Sequence, residues 1–215
     1  MKYILLCGGM NSKEQKNFDK PRHLLEIKGE PIVARTIRLL RERGVEDIAI
    51  STDAPELFEG FGVPIIKRWF GPDSLWIECF PTISDHDCWL FGPVCYLFGD
   101  VVFSPVAIAK IVETETEDVE FFASAPPFPT IYKKRWAEPF AFKVSNNEHF
   151  NDAIFDTAAL HRLYSAFKRE PIAWELWQVI KRTPLNIIDY TNYTVINDYT
   201  CDIDEPEDIK NFQFI

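Results

Sequence analysis

A chain of 215 residues, 47% hydrophobic and 26% charged, is large and apolar enough to bury a real core, which excludes a disordered polymer. Its formal charge of −10 excludes the broad cationic footprint that neutralises a nucleic-acid backbone, so neither DNA nor RNA is an expected partner. The five cysteines, Cys7, Cys79, Cys88, Cys95 and Cys201, contain no C-x-x-C pair and read as reduced thiols. The first apolar run is too short for a signal peptide, and no run approaches the about 20 residues of a membrane span, so the expected location is cytoplasmic.

Tyr3 to Cys7 is a continuous apolar run, the pattern of a parallel strand covered on both faces, and Gly8-Gly9 ends it. A polar loop from Met10 to Lys20 carries Asn11, Ser12, Lys13 and Lys16; Leu24 to Ile27 and Lys28-Gly29-Glu30-Pro31 follow as a short strand and turn. A helix is expected over Ile32 to Arg43, with Ile32, Val33, Thr36, Ile37 and Leu40 on its inner face and Gly44 as its stop. Ile48-Ala49-Ile50 is the next strand, so the first fifty residues form a βαβ crossover and a Rossmann-like half.

Val63 to Ile66 reads as a third strand, Asp73 to Ile83 as a helix opened by Asp73-Ser74, and Val94 to Phe98 as a buried strand ending in Gly99-Asp100. Ser104-Pro105 caps and starts a helix to Glu115, with Val106, Ile108, Ala109, Ile111 and Val112 as its apolar set. Phe121 to Ser124 is a strand, residues from Ala125 form a Pro-rich inserted loop ending in Lys133-Lys134-Arg135-Trp136, and Pro139 to Val144 alternates as a strand. Helices follow at Asp152 to Phe167 and Ile172 to Lys181, and the tail ends in a short helix with an acidic first turn. Trp174, Trp177, Phe140 and Phe142 read as core. The whole is a single domain over 1–215: three-layer α/β/α around a central mixed, mostly parallel sheet, with 125–195 as a lid-like part.

The chemistry concentrates at a few positions. Gly8-Gly9-Met10-Asn11-Ser12-Lys13 follows a buried strand, where glycines allow close backbone approach to a phosphate, Ser12 adds a donor and Lys13 a positive charge. Asp100 stands at the carboxyl end of a strand, facing the ligand crevice of such a sheet. Asp202-Ile203-Asp204-Glu205-Pro206-Glu207-Asp208 is an acidic tail, and Glu205, Glu207 and Asp208 suit a capped helix start. The four histidines show no metal-ligand spacing, and neither G-x-S-x-G nor a Walker-A loop is present.

Together, Gly8 to Lys13 and Pro21-Arg22-His23-Leu24-Leu25-Glu26-Ile27-Lys28-Gly29-Glu30-Pro31 resemble the amino-terminal signature of the sugar-phosphate and CTP-dependent nucleotidyltransferases, a strand, G-G-x-G-[TS]-R, a loop and P-K-x-L-L-x-I-x-G-K-P. Asn11 replaces a glycine, and Lys13 and Arg22 exchange the two basic residue types. The tail is similar to the D-I-D-T-P-E-D-L ending of cytidylyltransferases, with Glu205 for Thr.

The resemblance implies a nucleotide-diphospho-sugar transferase (GT-A-like) fold and transfer of NMP from an NTP, CTP favoured, to a phosphorylated small molecule such as a sugar phosphate, with release of pyrophosphate. It implies Lys13 and Arg22 as catalytic cations and Leu6, Gly8, Gly9, Asn11, Ser12 and Ser74 at the nucleotide. It places Mg²⁺ on Asp100 and Asp204, with Asp202 able to share it, and makes Lys133, Lys134 and Arg135 candidates for the acceptor phosphate. Dimers are common in the family, so a homodimer is compatible with it. Two alternatives stay open: a metal-dependent GT-A glycosyltransferase, and a non-catalytic nucleotide-binding homologue suggested by Asn11 and the exchanged cations.

Overall fold

A computed structural model describes residues 1–8, 18–67, 92–126, 137–163, 171–186 and 189–212. The helix expected at Asp73 to Ile83, the loop residues Gly9 to Lys16 and the basic run Lys133 to Trp136 lie outside the described residues.

The first crossover forms as expected. Strand β1 (Lys2–Leu6) leads to a two-residue hairpin, β2 (Glu26–Ile27) and β3 (Glu30–Pro31), whose turn holds Lys28 and Gly29 at φ 52° and 82°. These positive φ values are the primed-turn geometry that matches the twist of paired strands, and they suit Gly29. Helix α1 (Ile32–Glu42) follows, burying Leu39 in addition to the expected face. Gly44 closes α1 at φ 76°: its N–H donates to the Arg41 carbonyl and the Val45 N–H to that of Leu40, a Schellman end. Strand β4 (Ile48–Thr52) then pairs parallel with β1.

Strands β5 (Ile65–Lys67), β6 (Val94–Phe98) and the short β7 (Val101–Val102) precede helix α2 (Pro105–Glu113), then come β8 (Val119–Ser124), β9 (Pro139–Val144), α3 (Asn147–Leu163), α4 (Ala173–Ile180), β10 (Thr194–Ile196) and β11 (Cys201–Asp202). The seven-stranded sheet runs β10-β8-β9-β6-β1-β4-β5. All its pairings are parallel except those of β9, which runs antiparallel to β6 and β8. Every residue of β4 and β6 is buried, so the sheet is covered on both faces and is the expected mixed α/β/α core. Among the described residues no helix is long and apolar enough to cross a membrane.

Three local expectations are corrected. Strand β9 does not alternate: it lies between two strands, all its residues after Pro139 are buried, and Lys143 is among them. Lys143 is buried because its ammonium donates to the carbonyls of Ile111, Val112 and Thr114 and so caps the end of α2. Val106, placed in the apolar set of α2, is 69% exposed, and the buried set is Ala107, Ile108 and Ile111. Helix α3 starts at Asn147 and not near Asp152, because the Asn146 side chain accepts from the His149 N–H at 3.1 Å and caps an earlier first turn.

Candidate active site

The carboxyl ends of β1 and β6 lie side by side, and the turn after β6 is built on one glycine. The Gly99 N–H donates to the Leu6 carbonyl at 3.0 Å, which continues the ladder past the end of both strands. A Cβ at Gly99 would stand 2.5 Å from Cys7 Sγ, 2.7 Å from the Leu6 carbonyl oxygen and 3.0 Å from the His23 ring. Only glycine allows this approach, and the approach holds Asp100 at the sheet edge.

Arg22 reaches the same edge from a one-turn 3-10 helix, Arg22–Leu24, set by extended Pro21 and closed by Leu24 and Leu25 N–H bonds to Pro21 and Arg22. Beside it His23 is fully buried, edge-on to Phe58 with ring centroids 6.2 Å apart. Its Nδ1 has no hydrogen-bond partner among the described residues. Burial lowers the His23 pKa to about 4, Asp100 pulling it up and Arg22 pushing it further down, so a neutral ring backs the site.

The tail is carried to this edge by its own set of bonds. Ser104 caps α2 by accepting from the Ala107 N–H at 2.8 Å, while its hydroxyl donates to Asp198 and its N–H to the Thr200 hydroxyl. Strand β11 then pairs antiparallel with β7, and the Ile203 N–H donates to the Asp100 carbonyl at 3.2 Å. Ile203 is buried in a small second core with Leu25, Ile27, Ile32, Val102 and Phe212. This core fixes Asp202 and Asp204 on either side of it. Asp208 takes the capping duty expected of the acidic tail: one of its oxygens accepts from the N–H groups of Asp204 and Glu205, at 3.0 and 2.9 Å.

Arg22, Asp100 and Asp204, which are far apart in sequence, therefore meet. The Arg22 guanidinium lies 3.0 Å from Asp100 Oδ2 and 3.2 Å from Asp204 Oδ1, and it also donates to the Ile203 carbonyl at 3.0 Å. Arg22 and Asp100 are 14% and 18% exposed and Asp204 41%, so the pair with Asp100 is the less screened of the two. Gly8 sits just past β1, partly exposed; Leu6, expected at the nucleotide, buries its side chain in the core and serves the edge through its carbonyl. Gly9, Asn11, Ser12, Lys13, Ser74, Lys133, Lys134 and Arg135 lie outside the described residues.

One acid was not placed here by sequence. Glu138, buried, brings a carboxylate oxygen within 4.8 Å of those of Asp202 and Asp204. It arrives because β9 runs antiparallel, which puts the start of that strand, and not its end, at the carboxyl edge of β6 and β8; its backbone is tied to Ser124 in both directions. A divalent cation that prefers oxygen fits the donor set of Glu138, Asp202 and Asp204, all hard carboxylates, while Asp100 is held against the other side of the Arg22 guanidinium. Two surface hollows lie elsewhere. One, beside α1, includes Arg38, which is held by Glu30 and Glu42, and Arg41, which donates to the Gly62 carbonyl; the other, between α3 and α4, is lined largely by apolar residues.

No protein-family model matches the sequence, and no curated protein matches it. Solved structures do match in fold. The inositol-1-phosphate CTP transferase from T. maritima superposes at a TM-score of 0.56 with 12% identity, over 98% of this chain and 94% of that one. The 4-diphosphocytidyl-2C-methyl-D-erythritol synthase from Anaerococcus prevotii gives 0.59 with 12% identity, over 99% and 94%. HddC from Yersinia pseudotuberculosis, complexed with GMP-PN, gives 0.55 with 13% identity, over 99% and 98%. The fold expected from the sequence, that of the nucleotide-diphospho-sugar transferases, is the fold of this chain.

Proposed function

We propose that this chain is a nucleotidyltransferase that moves NMP from an NTP, CTP favoured, to a phosphorylated small molecule such as a sugar phosphate and releases pyrophosphate. One observation carries the reading: Arg22, Asp100 and Asp204, from three distant parts of the sequence, converge at the carboxyl edge of a largely parallel sheet, the edge where ligands of such folds bind. Support comes also from the fold neighbours, two of which are named as a CTP transferase acting on inositol 1-phosphate and a diphosphocytidyl-methylerythritol synthase. The CTP preference follows them and the acidic tail.

In this reading Gly8 and the loop after it lie along the triphosphate, with Lys13 and Arg22 against the phosphates that gain charge as pyrophosphate departs. Asp100 and Asp204 hold Mg²⁺, with Asp202 and Glu138 close enough to support Asp204. Bound Mg²⁺ supplies neutralisation of phosphate charge. Arg22, fixed by the 3-10 turn and backed by neutral His23, offers a planar fork whose charge is permanent. The acceptor phosphate attacks the α-phosphorus in line, and the protein contributes orientation and preorganised charge without a covalent intermediate. Lys133, Lys134 and Arg135 are assigned to the acceptor phosphate.

The test is pyrophosphate release by purified protein with Mg²⁺, each of four NTPs and a panel of sugar, polyol and inositol phosphates. Release with one NTP and one acceptor supports the reading and names both substrates. Transfer of a sugar from a nucleotide-sugar without pyrophosphate release would replace it with the glycosyltransferase alternative.

A further inference from the structure

The carboxylates assigned to the metal already hold a cation belonging to the chain. Arg22 contacts Asp100 with one terminal nitrogen and Asp204 with the other, and the Ile203 carbonyl accepts from the nitrogen that faces Asp204. A guanidinium and a divalent ion compete for the same oxygen lone pairs. Arg22 and Asp100 are mostly shielded from solvent, so the competition at Asp100 is not erased by water as it would be at an open surface, whereas Asp204, 41% exposed, is screened more.

A nucleoside triphosphate changes the balance in two ways. Its oxygens offer the guanidinium the planar, bidentate partner that a carboxylate offers, with more charge. It also brings its own metal ligands, because divalent ions bind phosphates together with one or two carboxylates. Moving Arg22 from Asp100 and Asp204 to phosphate therefore vacates the two acids when the ion needs them.

We propose that Arg22 is an internal counter-ion that keeps Asp100 and Asp204 closed to a metal ion until a nucleotide draws it away, which couples metal and nucleotide binding in this chain. The proposal rests on the nucleotidyltransferase reading for the role of the two aspartates. Free divalent ions bind the resting protein weakly, a nucleotide strengthens their binding, and by linkage the metal strengthens nucleotide binding by the same factor. Arg22 is thus a positioning residue before the nucleotide binds and a phosphate ligand afterwards.

The experiment measures Mn²⁺ binding to the full chain from the EPR signal of the free ion, without acceptor, in the presence and absence of CTP. Without nucleotide, Arg22→Met is expected to bind Mn²⁺ about tenfold more tightly than wild type, the scale of one lost charge-assisted competitor. Arg22→Lys, which keeps the charge but not the fork, is expected in between, and it carries the comparison if Arg22→Met fails to fold. Adding Asp100→Asn to Arg22→Met should cancel the gain, which places the ion at this pair and not at Glu138 and Asp202 alone. With the Mn²⁺ chelated by free CTP subtracted, CTP should tighten Mn²⁺ binding to wild type by a larger factor than to Arg22→Met, because its phosphates supply ligands to both but release Arg22 only in wild type. Equal Mn²⁺ affinity in wild type and the Arg22 variants, or a wild-type affinity that CTP does not change while CTP binds, would overturn the counter-ion. Failure of every NTP to bind would instead strike the transferase reading, and the nucleotide-free comparison would still decide whether Arg22 excludes the ion.

Discussion

The two flanks of the sheet treat their sheltered charges in opposite ways. On the β1–β6 flank, Arg22, Asp100 and Asp204 pair with one another at the edge of the sheet, each partly open to solvent. On the β8–β9 flank Glu138 reaches the edge, but Lys143 and Glu175 are turned inward. Lys143 gives its ammonium to three carbonyls at the end of α2, and a lysine has three donors, so none remains for a ligand. Glu175 accepts from the His161 ring at 2.7 Å and from the Ile172 N–H at 3.0 Å, joining α3 to the first turn of α4. Trp174 donates to the Ala137 carbonyl at 2.6 Å and packs edge-on against Phe121, as expected of a core aromatic. A buried charge by itself does not mark chemistry; what distinguishes Arg22, Asp100 and Asp204 is that they hold one another at the sheet edge, where Glu138 joins them from the start of β9, while Lys143 and Glu175 hold backbone or helices.

That contrast orders the consequences of mutation. The largest expected effect is on turnover: Asp100→Asn and Asp204→Asn should each reduce pyrophosphate release at least about a hundredfold, the scale of losing a group that positions transition-state charge, with little change in thermal midpoint. Full activity in both would remove the edge from the chemistry. Next is Gly99→Ala, which should cost stability and activity together. Its Cβ meets a backbone oxygen at 2.7 Å that has no freedom to turn away, and overpacking of this kind costs about 1–3 kcal/mol while moving Asp100. An alanine variant with wild-type urea midpoint and turnover would show that the turn is not held as described.

Lys143→Met is the counterpart on the other flank. It should lower stability by about 2–4 kcal/mol, because the last carbonyls of α2 lose a buried charged donor, and should leave the KM for nucleotide unchanged. A variant that unfolds normally in urea but binds nucleotide poorly would assign Lys143 to the site and dissolve the comparison. The last effect, confined to acid, is the pH response of His23. Its folded pKa, held at about 4 by burial, lies below the 6.5 of a free imidazole, so the unfolded chain binds a proton that the folded chain refuses. The stability from this residue is complete above 6.5 and is lost as pH falls from there through 4. Relative to His23→Leu, wild type should lose about 2 kcal/mol more between pH 7 and pH 5 in urea titrations; parallel curves would contradict a buried neutral ring.

The sequence made the first flank readable because local rules and tertiary structure agree there. An apolar run, a hairpin turn at Lys28-Gly29, an amphipathic helix ended by Gly44 and a capped helix at Ser104-Pro105 each form as their residues dictate. Asp100 and Asp204 stood out as acids at a strand end and in a patterned tail. The second flank was less readable because its features depend on partners far along the chain. Nothing in Pro139 to Val144 announces that β9 runs antiparallel, and only that direction brings Glu138 to the edge. Nothing beside Lys143 reveals the end of α2 that accepts its protons, and Val106 faces outward although it looks like core. That Arg22 would rest on both aspartates is likewise a tertiary fact, visible only once Ile203 is buried beside Asp100.

The most direct test of the site is anomalous diffraction from crystals of the protein grown with CTP and Mn²⁺. A manganese peak between Asp100 and Asp204, with the triphosphate beside Gly8 and against Arg22, is the result expected from the account. Nucleotide bound elsewhere on the chain, or manganese held without either aspartate, would contradict it.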